Sequence, residues 1–272
     1  MTVINTNVGA LMARTYATKA NDKMQTSMER LSSGSRVNSA ADDAAGLAVA
    51  GKMESQLRGI NMSIRNAQDG MGLIGTAEAG LNEIRNMVLR IRELAVQMAN
   101  GIYEDTPDRA NAQLEVTALI DQVTLIAENT RFNDIAVLDG SFTGVTIQAG
   151  NTTSETITLS FIDTASSGLS INAATVATQS DATVAMGTMD TALQTIASEQ
   201  AKFGSLINRL NFSVANQSKA SVMTEQAIGR VMDADFATET TNLSKQQILN
   251  QAATSMLAQA NQSKQSILAL LQ

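Results

Sequence analysis

The stretch from Met189 to Val214, MDTALQTIASEQAKFGSLINRLNFSV, decides the fold, because its apolar residues recur at the spacing of a packed helix. One heptad register contains Met189, Leu193, Ile196, Phe203, Ile207, Leu210 and Val214. Apolar residues at this spacing form the seam by which a helix packs on partner helices. Gln200 and, further on, Gln217 occupy the same seam, where polar residues favour one register over raw stability. The stretch predicts a long helix in a bundle.

A second seam lies in the N-terminal half of the chain. It consists of Ile84, Val88, Ile91, Ala95 and Met98. Another helical pattern follows the only proline, Pro107, so we expect these two helices to pair antiparallel. The helical patterns cover residues 1–135 and 185–272, which predicts a mainly α fold with long helices and a coiled-coil bundle.

Both ends of the chain carry apolar stripes on segments that would be marginal as isolated helices in water. We therefore expect the ends to pack on each other or against copies of the protein. The candidate contact residues are Ile4, Val8, Leu11, Met28 and Leu31 near the start, and Leu249, Ala252, Met256, Leu257, Ala260, Ile267, Leu268, Leu270 and Leu271 near the end.

The middle of the chain has a different pattern. Val145 and Ile147 alternate with polar residues, as do residues 156–161, and the turn-forming cluster 150–154 separates them, which predicts a small β-hairpin. Residues 165–183 are rich in small polar residues and predict a surface loop. Candidate acceptors for O-linked glycans are Thr152, Thr153, Ser154, Ser166 and Ser167.

Composition excludes several classes of chemistry. The 272 residues contain neither Cys nor His, which excludes disulfides, thiolate nucleophiles, His-ligated metals and Ser-His-Asp triads. The formal net charge of −7 argues against nucleic-acid binding. The segment GMGLIG (residues 70–75) matches a dinucleotide-binding fingerprint, but no strand precedes it, so close packing explains its glycines better. We expect no cofactor, no metal and no enzymatic activity.

Ordinary targeting signals are missing from the sequence. The first residues lack a basic segment followed by an apolar core, and polar residues interrupt the most apolar segment, residues 248–271. We expect no cleaved secretion signal and no membrane insertion.

Long motifs at both ends make the chain similar to bacterial flagellins. The N-terminal motifs are VINTN (residues 3–7), ERLSSGSRVNSAADDAAG (29–46), RNAQDG (65–70), LNEI (81–84) and RELAVQ (92–97). The C-terminal motifs are DFATE (residues 235–239), QIL (247–249) and AQANQ (258–262). The resemblance covers about residues 1–140 and 190–272, and the motifs occur in the order typical of that family.

The resemblance implies a division of the chain into an inner domain, D0, and the next domain outward, D1. The expected segments are a D0 helix and linker (1–44), D1 helices (45–140), a hairpin with a short variable surface segment (141–184), a D1 helix (185–230) and a D0 helix (231–272). The implied function is self-polymerisation into the hollow flagellar filament, a helical propeller for swimming. The chain lacks the large outer domains of longer family members.

The resemblance also implies partners and a location. The subunit would leave the cell through the flagellar type III export apparatus, with a secretion chaperone on its C-terminal helix, and would reside in the extracellular filament. Hook-associated junction proteins and the filament cap would be further partners. Arg90, Leu94 and Glu115 match positions at which the host receptor TLR5 recognises some flagellins, although Leu89 stands where that pattern commonly has Gln.

Two alternatives remain open at this point. The flagellar hook–filament junction protein shares the terminal plan, although its C-terminal motifs match less well. A flagellin-like cell-surface protein that binds glycans through residues 140–184 would show ligand binding without polymerisation.

Overall fold

The protein is mainly α-helical, as the heptad patterns predict. The computed structural model describes residues 6–269, and from residue 264 onward it describes only the helical backbone. The described helices are α1 (Val8–Ser33), α2 (Ala44–Met98), α3 (Ala110–Asn129), α4 (Gln179–Met232) and α5 (Phe236–Ala269), with a π-helical turn at Asp105–Arg109. The strands are β1 (Arg131–Phe132), β2 (Ile135–Ala136), β3 (Val145–Gln148) and β4 (Thr156–Leu159).

The chain forms two compact units. Residues 1–55 and 223–272 form the terminal unit, which pairs α1 with α5, and residues 56–222 form the central unit. The long helices α2 and α4 each contribute to both units. The terminal unit contains nine Lys and Arg and nine Asp and Glu residues, whereas the central unit contains ten and seventeen. The net charge of the protein therefore resides in the central unit.

The core of the central unit contains the heptad seam of α4. Its fully enclosed members are seven residues apart: Ala182, Met189, Ile196, Phe203 and Leu210. The charged residue Glu199 lies in this core with only 1% of its surface exposed, and its Oε2 accepts a hydrogen bond from the Lys202 ammonium at 2.8 Å. The expected polar seam residue Gln200 is only half-buried, and its side chain instead bonds Asn82 of α2 at 2.7 Å.

The helices α2 and α4 run antiparallel in one unbroken register. Arg92 donates to Asp190 at 2.6 Å, and Ser221 donates to Asn61 at 3.2 Å near the other end of the central unit. Between these two contacts the chain advances by the same number of residues along both helices. The pairing therefore contains no insertion that would shift the heptad pattern.

The predicted β-hairpin is confirmed by strands β3 and β4, although burial alternates only along β4. Val145 pairs with Leu159 and Gln148 with Thr156 in an antiparallel ladder. Gly70 of the GMGLIG segment is buried, and a Cβ built there would lie 2.2 Å from Cδ1 of Ile147. The glycine therefore lets a hairpin side chain contact the α2 backbone, and GMGLIG lies within one uninterrupted helix.

The segment 141–184 is less exposed than the sequence suggests. Phe142 and Phe161 are buried, and the Phe161 ring stacks on Phe142 and meets Phe203 edge-on, both at 4.8 Å between centroids. Buried residues also include Leu169, Ile171 and Val176. The irregular stretch is thus largely part of the core, and helix α4 begins at Gln179, earlier than the expected residue 185.

A buried arginine closes the connection between α2 and α3. Arg109 is 4% exposed, and its guanidinium donates to the carbonyl oxygens of Met98, Tyr103 and Asn100 and to the Asp105 carboxylate. The bond to Met98 satisfies a carbonyl group at the end of α2, and the others tie down the turn that follows it. The Arg109 side chain therefore fixes the connection between α2 and α3, whose facing residues share the core of the central unit.

Candidate assembly surface

The terminal unit is built on an antiparallel pair of helices whose shared seam contains small side chains. From α1 the buried residues are Ala13, Ala20 and Ser27, and from α5 they are Ala253 and Glu239. Small side chains allow two helices to approach closely, so the larger residues next to them are displaced to the flanks. The pair therefore forms without enclosing its large apolar residues.

Polar contacts hold the pair at both ends. The Asn7 side chain accepts a hydrogen bond from the Ala10 amide at 3.0 Å, as the N-cap of α1, and donates to the Ala260 carbonyl at 3.1 Å. Near the other end, the Ser27 hydroxyl donates to the Glu239 carboxylate at 2.6 Å.

The predicted contact residues of the chain ends are mostly exposed in the subunit. Leu11 is 60% exposed and Met256 is 65% exposed, although both residues belong to the paired helices α1 and α5. The other exposed members are Val8, Met28, Leu249 and Ala252, and the half-buried ones are Leu31, Leu257 and Ala260. Ile4, Leu270 and Leu271 lie outside the described residues, as do the side chains of Ile267 and Leu268.

An apolar groove of about 750 Å³ runs along one side of the seam. The small residues Gly9, Ala13 and Ala253 line it together with the larger Met12, Tyr16, Leu249 and Met256. Two ammonium groups, those of Lys19 and Lys23, also line this groove, whereas none of its lining residues is acidic. Large apolar side chains around a concave, solvent-open floor are typical of a protein-binding surface.

A second groove, of about 550 Å³, lies on the other side of the same seam. Its lining is more polar and includes Arg14, Asp22, Asn250 and Leu257. Since the two sides of the pair differ in polarity, a copy docking on one side meets a different surface from a copy docking on the other. Such unlike surfaces suit head-to-tail contacts that do not close into a ring.

The three candidate receptor-contact residues lie in the central unit and have different environments. The Arg90 guanidinium donates to Glu115 at 2.8 Å, and this hydrogen bond raises the pKa of Arg90 above its ordinary value. Both side chains are about half exposed, so they form an accessible ion pair. Leu94 is only 4% exposed because it packs in the core, and a direct contact from this side chain does not fit the subunit.

The candidate glycan acceptors fall into two groups. Thr152, Thr153 and Ser154 are exposed in the turn between β3 and β4, and Ser167 is exposed as well. Ser166 is half-buried, and its hydroxyl accepts a hydrogen bond from Thr124 at 2.8 Å. The structure thus separates four accessible hydroxyl groups from one that is engaged within the core.

Residues 6–269 contain no group of three acidic, Cys or His side chains that could hold a metal ion. Within the same range, no helix is both long enough and apolar enough to cross a membrane.

The sequence prediction missed the residues that form the seam itself. It selected mainly large apolar residues, with Ala252 and Ala260 of α5, and did not include Ala13, Ala20, Ser27, Tyr16 or the two groove lysines. Ala13, Ala20 and Ser27 are seven residues apart, so a search for small side chains at heptad spacing would have found them.

Comparison with known proteins gives consistent matches. The model of the bacterial flagellin N-terminal helical region matches residues 4–143, and that of the C-terminal helical region matches residues 186–271. The chain is 38% identical over 286 aligned residues to the flagellar filament 33 kDa core protein of Treponema phagedenis, covering 99% of both.

Two solved structures resemble the fold. The crystal structure of Bacillus cereus flagellin matches with a TM-score of 0.51 at 34% identity, covering 56% of this chain and 88% of that one. A putative flagellar hook-associated protein from Vibrio parahaemolyticus gives a TM-score of 0.60 over 71% of this chain and all of that one. Its identity is 12%, so this second likeness concerns the fold alone.

Proposed function

This chain belongs to the bacterial flagellin family and is a structural subunit of the flagellar filament. We propose that the apolar groove between α1 and α5, the one of about 750 Å³, is a surface through which copies of the chain polymerise. The observation that carries the proposal is the exposure of large apolar side chains on a folded helix pair. Met12, Tyr16, Leu249 and Met256 surround a groove floored by alanine and glycine. The junction-protein and glycan-binding alternatives are not favoured, because the 38% identical filament core protein matches nearly the whole chain.

The energetics of the helix pair support this role. Alanine contacts bury little apolar area, so the pair gains limited stability from its own seam. Docking of a second copy would remove the flanking side chains from water, at about 1.5–3 kcal/mol for each large apolar side chain that becomes fully buried. Polymerisation therefore adds stability that the helix pair lacks on its own, and the terminal unit of the free subunit remains easy to unfold for export.

The decisive experiment places charge in the groove. Leu249→Asp and Met256→Asp put a carboxylate into a contact that becomes apolar on docking, and we expect them to abolish polymer under conditions in which the unsubstituted protein forms filaments. Sedimentation and electron microscopy measure the polymer. Gln247→Asp is the matched control, since it adds the same charge to an exposed position of α5 that does not line the groove. Normal filaments from both groove variants would refute the proposal.

A deletion tests the division of labour between the two units. We expect removal of residues 248–272 to abolish filaments and leave the unfolding transition of the central unit in place. Circular dichroism follows that transition. Polymer formation by the shortened chain would show that the C-terminal helix is dispensable for assembly.

Export and extracellular residence belong to the same proposal. The exposed apolar residues Ile248, Leu249 and Met256 give a secretion chaperone a hydrophobic helix face to cover before export. The type III export apparatus, the hook-associated junction proteins and the filament cap are further proposed partners. Met256→Asp should reduce co-purification of a chaperone expressed with the subunit, while Gln247→Asp should not.

Recognition by host TLR5 would rest on the Arg90–Glu115 pair, which is exposed, and would exclude Leu94 as a direct contact. Glu115→Ala should then lower receptor signalling by the free subunit without preventing polymerisation. Equal signalling by the Glu115→Ala and unsubstituted subunits would remove these positions from the proposal.

The proposed acceptors of O-linked glycans are Thr152, Thr153, Ser154 and Ser167. Mass spectrometry of filaments purified from the source cells identifies any that are occupied.

A further inference from the structure

The seam between α1 and α5 is repetitive. On α1 the buried residues Ala13, Ala20 and Ser27 are seven residues apart, and on α5 the buried Glu239 and Ala253 are two such intervals apart. Seven residues are close to two helical turns. Gln246 lies between Glu239 and Ala253 at the same spacing, so a slide of one helix by that length would again place alanine opposite alanine or glutamine, as in the observed register. The apolar part of this seam therefore discriminates weakly between registers.

The seam contains one polar pair that breaks the repetition. Glu239 is buried, its Oε1 accepts the Ser27 hydroxyl hydrogen at 2.6 Å, and its Oε2 lies 4.0 Å from the Arg30 guanidinium. A buried carboxylate without a donor is strongly unfavourable, whereas the same group with a hydroxyl donor and a nearby cation is accommodated.

We propose that Ser27 and Glu239 select the register in which α1 and α5 pair. A slide of seven residues in one direction would place Glu239 against Ala20, whose methyl group cannot donate a hydrogen bond. A slide in the other direction would place Glu239 beyond the end of α1, where it loses the Ser27 hydrogen bond and the nearby Arg30 guanidinium, and would leave Ser27 opposite Gln246. Single buried polar residues fix the register of other heptad seams in this way.

Other contacts within the terminal unit also depend on the register, but they are less buried than Ser27 and Glu239, and the Asn7 bond to the Ala260 carbonyl is only partly buried. The Asn250 amide donates to Asn21 at 2.9 Å, and the Ala234 amide donates to the Gly34 carbonyl at 2.9 Å. Water replaces an exposed hydrogen bond at little cost, so these contacts discriminate less than the buried pair. The experiment must nevertheless separate them from Ser27 and Glu239.

Cysteine cross-linking reads the register directly, because the chain has no cysteine of its own. In the full-length chain, Ala13→Cys with Ala253→Cys reports the observed register. Ala20→Cys with Ala253→Cys reports a slide in one direction, and Thr6→Cys with Ala253→Cys a slide in the other. Non-reducing electrophoresis after mild oxidation separates the intramolecular product from cross-linked dimers.

We expect the native cross-link to exceed both slid cross-links in the unsubstituted background. In the Ser27→Ala, Glu239→Leu background the ratio of native to slid cross-link should fall by about tenfold or more, since no buried group then loses a partner on sliding. Glu239→Gln should preserve the native ratio, because its amide oxygen still accepts from Ser27. A role in stability alone would lower all cross-links together without changing their ratio.

The matched control removes a different hydrogen bond of the same pair. Asn21→Ala with Asn250→Ala should leave the ratio unchanged, because both side chains are in contact with solvent. If the Ser27→Ala, Glu239→Leu chain keeps the native ratio, exposed contacts set the register and the proposal is overturned. If that chain gives no cross-link at all, the same ratio is measured in the Ser27→Ala single variant. An unchanged ratio of native to slid cross-link in that variant also overturns the proposal.

The result is independent of the proposed assembly contact. The cross-link is intramolecular, so it can be measured on free subunits and on pelleted polymer. Loss of filaments with an unchanged cross-link ratio would count against the role of the groove, whereas a changed ratio concerns the register alone.

Discussion

The terminal and central units use similar helices but build their interiors from residues of different size. In the central unit, Leu81, Ile91 and Phe203 are fully buried, and the charged residues are almost all at the surface. In the terminal unit, alanines occupy the seam while Leu11 and Met256 are exposed. The central unit thus encloses its core within one chain, and the terminal unit retains an apolar surface for contacts with other chains.

Charge follows the same division. The terminal unit has as many basic as acidic residues, whereas acidic residues outnumber basic ones by seventeen to ten in the central unit. Copies of a neutral surface approach one another without net repulsion, and an acidic surface favours solvation. The α1–α5 pair with its apolar groove therefore belongs to the unit without net charge.

The largest expected effect comes from shortening one large side chain in the central unit. Phe203→Ala removes a ring that packs edge-on against Phe161, and we expect it to lower the free energy of unfolding of the subunit by about 3–5 kcal/mol. The matched change in the terminal unit, Met12→Ala, should leave that free energy unchanged within about 0.5 kcal/mol, because Met12 is exposed in the subunit.

Denaturant unfolding of the unpolymerised protein measures both variants, and the concentration required for polymerisation provides the second readout. Met12→Ala should raise that concentration, since the side chain lines the groove. The comparison of the two units would fail if Met12→Ala destabilised the free subunit as much as Phe203→Ala does.

A pair of glycines in α2 gives a smaller effect with opposite signs. Gly75 has open space around a built Cβ, so Gly75→Ala should stabilise the central unit by about 0.5–1 kcal/mol through helix propensity. In Gly70→Ala the added methyl group would contact the Ile147 side chain. After subtraction of the gain in helix propensity, we expect this variant to be less stable by about 1–2 kcal/mol. Equal stabilisation by both substitutions would mean that the hairpin adjusts easily and is not tightly packed on α2.

The sequence predicts the central helices well because their core residues are large and regularly spaced. Met189, Ile196, Phe203 and Leu210 form an uninterrupted heptad series, and all four are buried. The buried Glu199 escaped the prediction because heptad reading assigns charged residues to solvent. Only the structure shows its contact with Lys202 and its place in the core.

The irregular segment and the terminal seam were harder to predict, for different physical reasons. Leu169, Ile171 and Val176 are buried in a stretch without a helical or strand period, so no pattern indicates which face they share. In the terminal unit, a search for large apolar residues finds those that flank the seam. The residues that contact each other, such as Ala13 and Ala253, carry too little side chain to create a hydrophobic pattern.

The smallest expected effect concerns a surface ion pair that joins α2 to α4. The hydrogen bond from Arg92 holds the pKa of Asp190 below its ordinary value of 3.8, so the pair stabilises the folded state above that value. The contribution is lost as the pH falls through the lowered pKa of the folded state. Asp190→Asn should therefore lower stability slightly at about pH 7, and its difference from the unsubstituted protein should shrink in acid.

Urea unfolding at several pH values, with and without about 1 M salt, measures this difference, and salt should also reduce it. A difference that persisted unchanged well below the ordinary pKa of aspartate would mean that Asp190 acts through packing. Asp235, in the terminal unit, provides the comparison, because the Thr238 hydroxyl and nearby backbone amides lower its pKa without a cation. Its contribution should show the same sign with pH but less sensitivity to salt, since hydrogen bonds are screened less than ion pairs.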